Sequence, residues 1–400
     1  MARIAARAGG HYCLRDMQIH ANFTSPRSAI MVLFGAFGAA VGALCGSVPS
    51  IMRNSGIDSA TLGFGLTIST LMTVGGMAVG GQLARLASSR TMLLGVLPVF
   101  AALLFAYLTA GSPLWFYLAI IPMGLAFGLT DIFMNAEATA IEHDMQRPVF
   151  TAFHACVSLG VASLAIAASF MSTMIGTWAT GLLAAAFFAL AWGFVYCNVR
   201  PRQLVGGRTA RMRSLPHKLP LILLGIAAGL IIAGETAALL WSAKLLDELA
   251  PSLAAIAGLG AAFYGACNAA VRFPGDALRA RFGDVPLMIG SLLVAIAGFT
   301  GLGFTTSFAA SVAAFAMVGL GTAVLIPCTF AMAAAFVPEN RPGALSFMSL
   351  LTIVPRTLSP WFFGLAAAGL GIGAAFGLVA VGLSVALVLL IILSRVRKHG

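Results

Sequence analysis

Charge is what this chain has least of. Only 9% of its 400 residues are Asp, Glu, Lys or Arg, and just 12 of them are acidic. A soluble chain of this length needs a polar surface that these residues cannot supply, so a soluble globular fold is excluded. Cysteine is sparse as well. Cys13, Cys45, Cys156, Cys197, Cys267 and Cys328 stand singly, with no CxxC pair. That pattern excludes a disulfide framework and a cysteine metal site, and no metal is expected. No polar stretch is long enough for a folded soluble domain. There is no GxxxxGK[ST] nucleotide loop, no HExxH and no nucleophile-elbow sequence, so neither ATP-driven work nor enzymatic catalysis is expected.

What the chain has instead is apolar length. Sixty per cent of residues are hydrophobic and the mean hydropathy is +0.99. A helix needs about 20 apolar residues to cross the hydrocarbon core. Twelve such runs occur, near 29–50, 60–83, 91–110, 114–140, 149–173, 176–197, 219–242, 252–274, 286–305, 308–336, 344–368 and 371–393. The predicted fold class is therefore all-α membrane protein with twelve transmembrane helices. Residues 1–27 form a basic tail without the apolar core of a secretory signal. Met17 is an alternative start, and the sequon Asn22-Phe23-Thr24 falls on the predicted cytoplasmic side.

The basic residues orient these runs. Of the 23 Lys and Arg, the predicted outer loops hold Arg53 and Lys244 alone. Arg85, Arg90, Arg147, Arg279, Arg281 and Arg341 sit in the alternate loops, and five arginines fall between Asn198 and Lys218. By the positive-inside rule both termini are cytoplasmic. This placement in short loops also excludes nucleic acid as a partner, despite the net charge of +11. The basic linker 199–218 divides a six-helix bundle at 28–198 from a second at 219–394, with 395–400 as a tail. The linker reads as a solvated loop, or as a contact for anionic lipid.

The halves echo one another. GGQLARLASSRTMLLG, from Gly80 to Gly95, resembles PGDALRARFGDVPLMIG, from Pro274 to Gly290. The offset between the two copies is 194 or 195 residues. Two related sets of six helices suggest a transporter with its site between them. Gly38, Gly42 and Gly46 in helix 1, and Gly76 and Gly80 in helix 2, would let helices approach closely, either to pack or to slide.

These features resemble the major facilitator superfamily of secondary transporters over nearly the whole chain from Arg27. The family's loop signature is partly kept as Gly81 and Arg90, with Arg85 in the usual Asp place, and again as Gly275, Asp276, Arg281 and Gly283, with Ala280 in the second Asp place. A narrower match lies in DIFMNAEATAIE (Asp131 to Glu142), RPVFTAFHACVSLG (Arg147 to Gly160) and ETAALLWSAKLL (Glu235 to Leu246). These resemble a bacterial inner-membrane permease branch that includes rhizopine-transporter-like and fucose-permease-like proteins. Relatives often carry Asp before the Trp, where this chain has Leu240. Helix 5 has no proline between Phe150 and Met174, unlike drug–proton antiporters. The resemblance implies two pseudo-symmetric six-helix bundles, a cavity lined by helices 1, 4, 7 and 10, and alternating access.

Charges inside the apolar runs mark the candidate site, because each costs about 2.5–3.5 kcal/mol at mid-bilayer depth even on the most lenient scale. Asp131 and Asn135 share one face of helix 4, and Asp131 lies roughly 16 Å deep at 1.5 Å per residue. It is a proton or substrate site, or a packing bond to helix 5 or 11. Arg356, bracketed by Pro355 and Pro360, sits in a polar stripe with Ser349, Thr352 and Ser359. It binds an anionic or hydroxyl-rich substrate, neutralises a carboxylate, or forms a static pair. Glu235 is expected in the outer half of helix 7, with Trp241 either a plate for a sugar or ammonium ligand or an interfacial anchor. Tyr264 and Asn268 are candidate ligand contacts on helix 8, and Arg272 is expected to reach lipid phosphate or Asp276. Glu137 and His154 lie at matching depths and are expected to pair, as a proton relay or as a structural bond.

The leading expectation is a secondary transporter of a small polar organic solute such as a sugar or polyol. It would be a monomer in the bacterial inner membrane, with the solute and the lipid bilayer as partners. No bound cofactor is expected, and a proton gradient would drive transport. An exporter of amphipathic drugs or metabolites is the alternative, and a non-transporting sensor the second.

Overall fold

A computed structural model describes residues 25–146, 149–202 and 218–399. The N-terminal tail and most of the basic linker, with their predicted roles, lie outside the described residues. Twelve spans follow one another: α1 Pro26–Ser55, α2 Ser59–Leu83, α3 Ser89–Leu108, α4 Pro113–Met145, α5 Phe150–Met174, α6 Thr177–Asn198, α7 Lys218–Leu249, α8 Pro251–Arg272, α9 Asp284–Phe304, α10 Phe308–Phe336, α11 Arg341–Leu370 and α12 Ile372–His399. A short helix, Gly275–Phe282, joins α8 to α9.

Local chemistry starts and stops these helices. Ser25, Asp58, Ser88, Ser112, Ser307 and Asn340 each precede a span, and the side chain of each accepts the backbone N–H three residues on. Those caps satisfy donors that a helix start leaves open. Hydrogen bonds from Thr61 hold the Asp58 carboxyl below its usual range. The start of α5 is capped differently: the Glu142 carboxylate accepts from the N–H groups of Val149 and Phe150 at 2.8 and 2.7 Å.

Several elements differ from the sequence reading. Helices α4 and α7 outrun their apolar stretches, to Met145 and Leu249, because polar residues continue a helix beyond the hydrocarbon. The predicted C-terminal tail is helical to His399. Span α8 opens with a 3-10 turn, Pro251–Ile256. Span α10 is broken into Phe308–Thr322 and Leu325–Phe336. Pro327 explains that break: it has no N–H for the carbonyl four residues back, Ala323.

The helix pairings repeat after six. In the first half α1 packs on α5 and α6, α2 and α3 pack on α4, and α3 packs on α6. In the second, α7 packs on α11 and α12, α8 and α9 on α10, and α9 on α12. Pairs between the halves repeat too: α2 lies against α11, and α5 against α8. Small residues make these contacts. An added Cβ at Gly38, Gly42 or Gly46 would strike the α5 backbone at Val157, Val161 or Ala165. Large apolar side chains such as Leu114, Leu118, Phe304 and Val381 are exposed around the bundle, as a lipid-facing surface requires.

One end of the bundle carries Arg85, Arg90, Arg202, Arg279 and Arg281, and is termed the basic end. The halves close together at the opposite, far end. There Gly63 lies on Pro360, Gly364 on Ser59 and Gly258 on Ala165. Ser169 donates to the Ala254 carbonyl at 2.9 Å, and Arg53 pairs with Asp247 at 2.7 Å.

Candidate functional site

Between the halves, opening on the basic-end segment around Gly275 and Arg279, is a cavity of about 700 Å³. Its charged lining is Glu235 from α7, Arg272 from α8, Asp276 and Arg279 from the short helix, and Arg356 from α11. His154 and Phe150 from α5, with Ile232, Pro327 and Phe330, complete the wall.

Glu235 and Arg272 form an ion pair at 3.7 Å. That is too long for a hydrogen bond, and the buried Glu235 Oε1 has no hydrogen-bond partner. The Arg272 Nε instead donates to the Ala323 carbonyl at 3.3 Å, the acceptor that Pro327 leaves free. The break in α10 thus anchors an arginine from α8.

Arg356 is exposed to the cavity, and no carboxylate among the described residues lies within ion-pair distance of its guanidinium. It acts electrostatically on both Asp131 and Glu235. Asp131 is held by its own helix, where Asn135 Nδ2 donates to the Asp131 carbonyl at 2.8 Å and to its carboxylate at 2.9 Å. Pro360 frees the Arg356 carbonyl, which accepts from the Ser359 hydroxyl at 3.3 Å.

Other predicted residues sit elsewhere. Trp241 is fully buried, 5.0 Å from the Phe363 ring, and lines a separate apolar cavity of about 410 Å³ among α7, α11 and α12. It neither faces the Glu235 cavity nor reaches an interface. Six residues turn a helix through roughly 600°, which sets Trp241 on another face from Glu235. Tyr264 and Asn268 are buried against α10: Asn268 Nδ2 donates to Thr322 Oγ1 at 3.3 Å, and that hydroxyl donates to Tyr264 Oη at 3.4 Å. Neither lines the cavity; only the longer Arg272 of their stripe reaches it.

The expected Glu137–His154 pair does not form. Helix α4 packs on α2 and α3, so Glu137 is buried at the start of α3, where Ser89 Oγ donates to it. Arg202 lies beside it electrostatically. His154 stands on the cavity wall, edge-on to Phe34 with ring centres 5.4 Å apart.

The loop-signature residues bind within their own halves. Arg90 donates to the Tyr196 carbonyl at 2.8 Å and stacks over that ring at 5.3 Å. Gly81 is exposed. Asp276 and Asp284 hold Arg279 at 3.4 and 2.8 Å, Arg281 lies over Phe282, and Gly283 takes a φ of 77° that favours glycine. The second copy begins at Gly275, which is buried at the start of the short helix.

Comparison with known proteins bears on this architecture. The family model for the Major Facilitator Superfamily matches residues 221–400. Membrane protein MosC of Rhizobium meliloti is 27% identical over 379 residues, covering 92% of this chain and 91% of its own. The superfamily model thus matches the second six-helix half, and this relative carries the similarity along most of the chain. A further relative is the uncharacterized transporter y4wD of Sinorhizobium fredii, 26% identical over 82% of this chain and 88% of that one. Among solved structures, a mutant of the nucleoside transporter NupG superposes with a TM-score of 0.77 at 14% identity, covering 92% of this chain and 100% of that chain. A bacterial homolog of the human lysosomal transporter Spinster, inward-facing and occupied, gives 0.69 at 14% identity over 92% and 96%. At such identity these structures establish the fold.

Sequence reasoning missed Arg272 as the partner of Glu235, and Arg279 as a cavity residue. A usable signal existed. Helical side chains lean toward their own N-terminus, so charges on the antiparallel α7 and α8 lean toward each other.

Proposed function

We propose that this transporter is a secondary carrier of a small polar organic solute, a sugar, polyol or related metabolite, driven by a proton gradient through alternating access. It works as a monomer in the bacterial inner membrane with both termini cytoplasmic, so the basic end faces inward and the structure is an inward-open form. One observation carries this reading: a cavity of about 700 Å³ opens between the halves at the basic end, lined by Glu235, Arg272 and Arg356, while the halves close at the far end. Volumes of roughly 300–1,000 Å³ suit small ligands. Charged groups inside a span signal a path for solute or protons. Its charged wall suits a polar solute better than an amphipathic drug.

In this mechanism solute binds among Glu235, Arg272 and Arg356. A proton on Asp131 or Glu235 removes a carboxylate charge opposite Arg356 and so shifts the balance between inward-open and outward-open forms. Purified protein in vesicles, given a panel of sugars, polyols and sugar acids, should accumulate solute only under a pH gradient. The Asp131→Asn variant should lose gradient-driven uptake. Solute movement indifferent to the gradient would remove proton coupling, and no flux for any member would favour a sensor.

A further inference from the structure

We propose that the transported solute carries a carboxylate, which Arg356 and Arg272 hold together and which takes the place of Glu235 on Arg272. The proposal deepens the transporter reading above and rests on it.

The charges of the cavity point this way. Three arginines line it, Arg272, Arg279 and Arg356, against two carboxylates, Glu235 and Asp276. Arg279 and Asp276 are committed to one another, and Arg279 is also held by Asp284. The inner wall therefore presents two guanidinium groups and one carboxylate. Arg356 projects into the cavity with no carboxylate among the described residues in ion-pair range. A cation at this depth is stabilised most by a directly bonded anion.

The existing pair is loose enough to exchange. Its 3.7 Å separation exceeds a hydrogen bond, and the buried Glu235 Oε1 has no hydrogen-bond partner. Arg272 is pinned through Nε to the Ala323 carbonyl, which leaves its two terminal nitrogens to serve an incoming anion. Phe150, Ile232 and Phe330 provide apolar surface for the rest of the solute.

The exchange balances charge. The solute carboxylate accepts hydrogen bonds from Arg272 and Arg356, and Glu235 loses its counter-charge. Glu235 then takes one proton from water in the open cavity. One anion and one proton enter together, so the net charge of the site is unchanged. Other titratable or charged groups facing this cluster are Asp131 on α4, His154 on α5, and Tyr264 on α8. Cys45 on α1 faces Tyr264.

Thermal shift on the purified full-length protein tests the proposal with matched probes: glucuronate against glucose, gluconate against sorbitol, and benzoate against benzyl alcohol. At least one carboxylate should raise the Tm at millimolar concentration while its neutral partner does not. Binding should tighten as pH falls from about 8 to 5, since protonating Glu235 removes the competitor. Glu235→Gln should bind that carboxylate roughly ten- to hundredfold more tightly near neutral pH, the range of one charge-assisted hydrogen bond, and should lose the pH dependence. Arg356→Ala should abolish the shift, with Arg356→Gln as the second variant if the first does not fold. His154→Gln should keep the pH dependence. Equal stabilisation by neutral probes, no stabilisation by any carboxylate, a shift retained in both Arg356 variants, or pH dependence that leaves with His154 would each overturn the proposal. Gradient-driven uptake of a neutral probe alone would refute the anion and leave the transporter reading standing. Carboxylate binding without flux in vesicles would do the reverse.

Discussion

Arginine in this protein works through reach. Arg272 stands at the last residue of α8, near the basic end, yet its side chain meets Glu235 because each leans toward its own helix start. Counting residues from helix ends therefore misjudged both partners, one as an outer carboxylate and the other as an interfacial cation. Asp131 and Asn135 were legible, since a four-residue spacing on one helix needs no tertiary knowledge. Glu137 was not, because its partner Ser89 lies on a helix that depth alone does not select. Arg272→Ala should leave Glu235 without its countercharge and lower stability by about 1–3 kcal/mol, with Glu235→Gln in the same chain restoring much of the loss. A double-mutant cycle by denaturant unfolding in detergent measures this; strict additivity would show that the pair contributes nothing.

Prolines shape the spans by releasing carbonyls, and neighbouring side chains take them. Pro98 frees Leu94, whose carbonyl accepts from Trp192 Nε1 at 2.9 Å. Pro360 and Pro327 do the same for Ser359 and Arg272. The apolar run 308–336 read as one helix because hydropathy is blind to a single missing hydrogen bond. Pro327→Ala should restore the bond from residue 327 to Ala323, straighten α10 and compete with Arg272 for that carbonyl. Uptake per folded molecule in vesicles should fall at least about tenfold, equivalent to about 1.4 kcal/mol, with expression unchanged or improved. Full activity in the straightened variant would make the break incidental.

Across the whole molecule the two halves share one pairing scheme, and they touch through small residues at the far end. Arg53 and Asp247 differ by 194 positions, one of the two offsets that the repeat allows, so corresponding helix ends meet across the pseudo-symmetry axis. The pair is half-exposed, and such pairs contribute about 0–1 kcal/mol. Arg53→Asp should therefore shift the population toward a far-end-open form by roughly two- to fivefold, and exchanging both charges should reverse the shift. Distances between spin labels on the far ends of α2 and α11 report this, and an unaltered distribution in the single variant would show that the pair does not hold the far end closed.

Twelve spans and two related halves were written in the sequence, because bilayer crossing and pseudo-symmetry depend on local apolar length and a repeated pattern. So was the presence of costly charges within spans. Which charges meet was decided only in three dimensions. Partner choice depends on helix rotation, on side-chain lean and on carbonyls released by proline, and a one-dimensional depth count contains none of these. Glu235 found Arg272, and His154 found a cavity instead of Glu137, because packing of α4 on α2 and α3 and the break in α10 turned those faces.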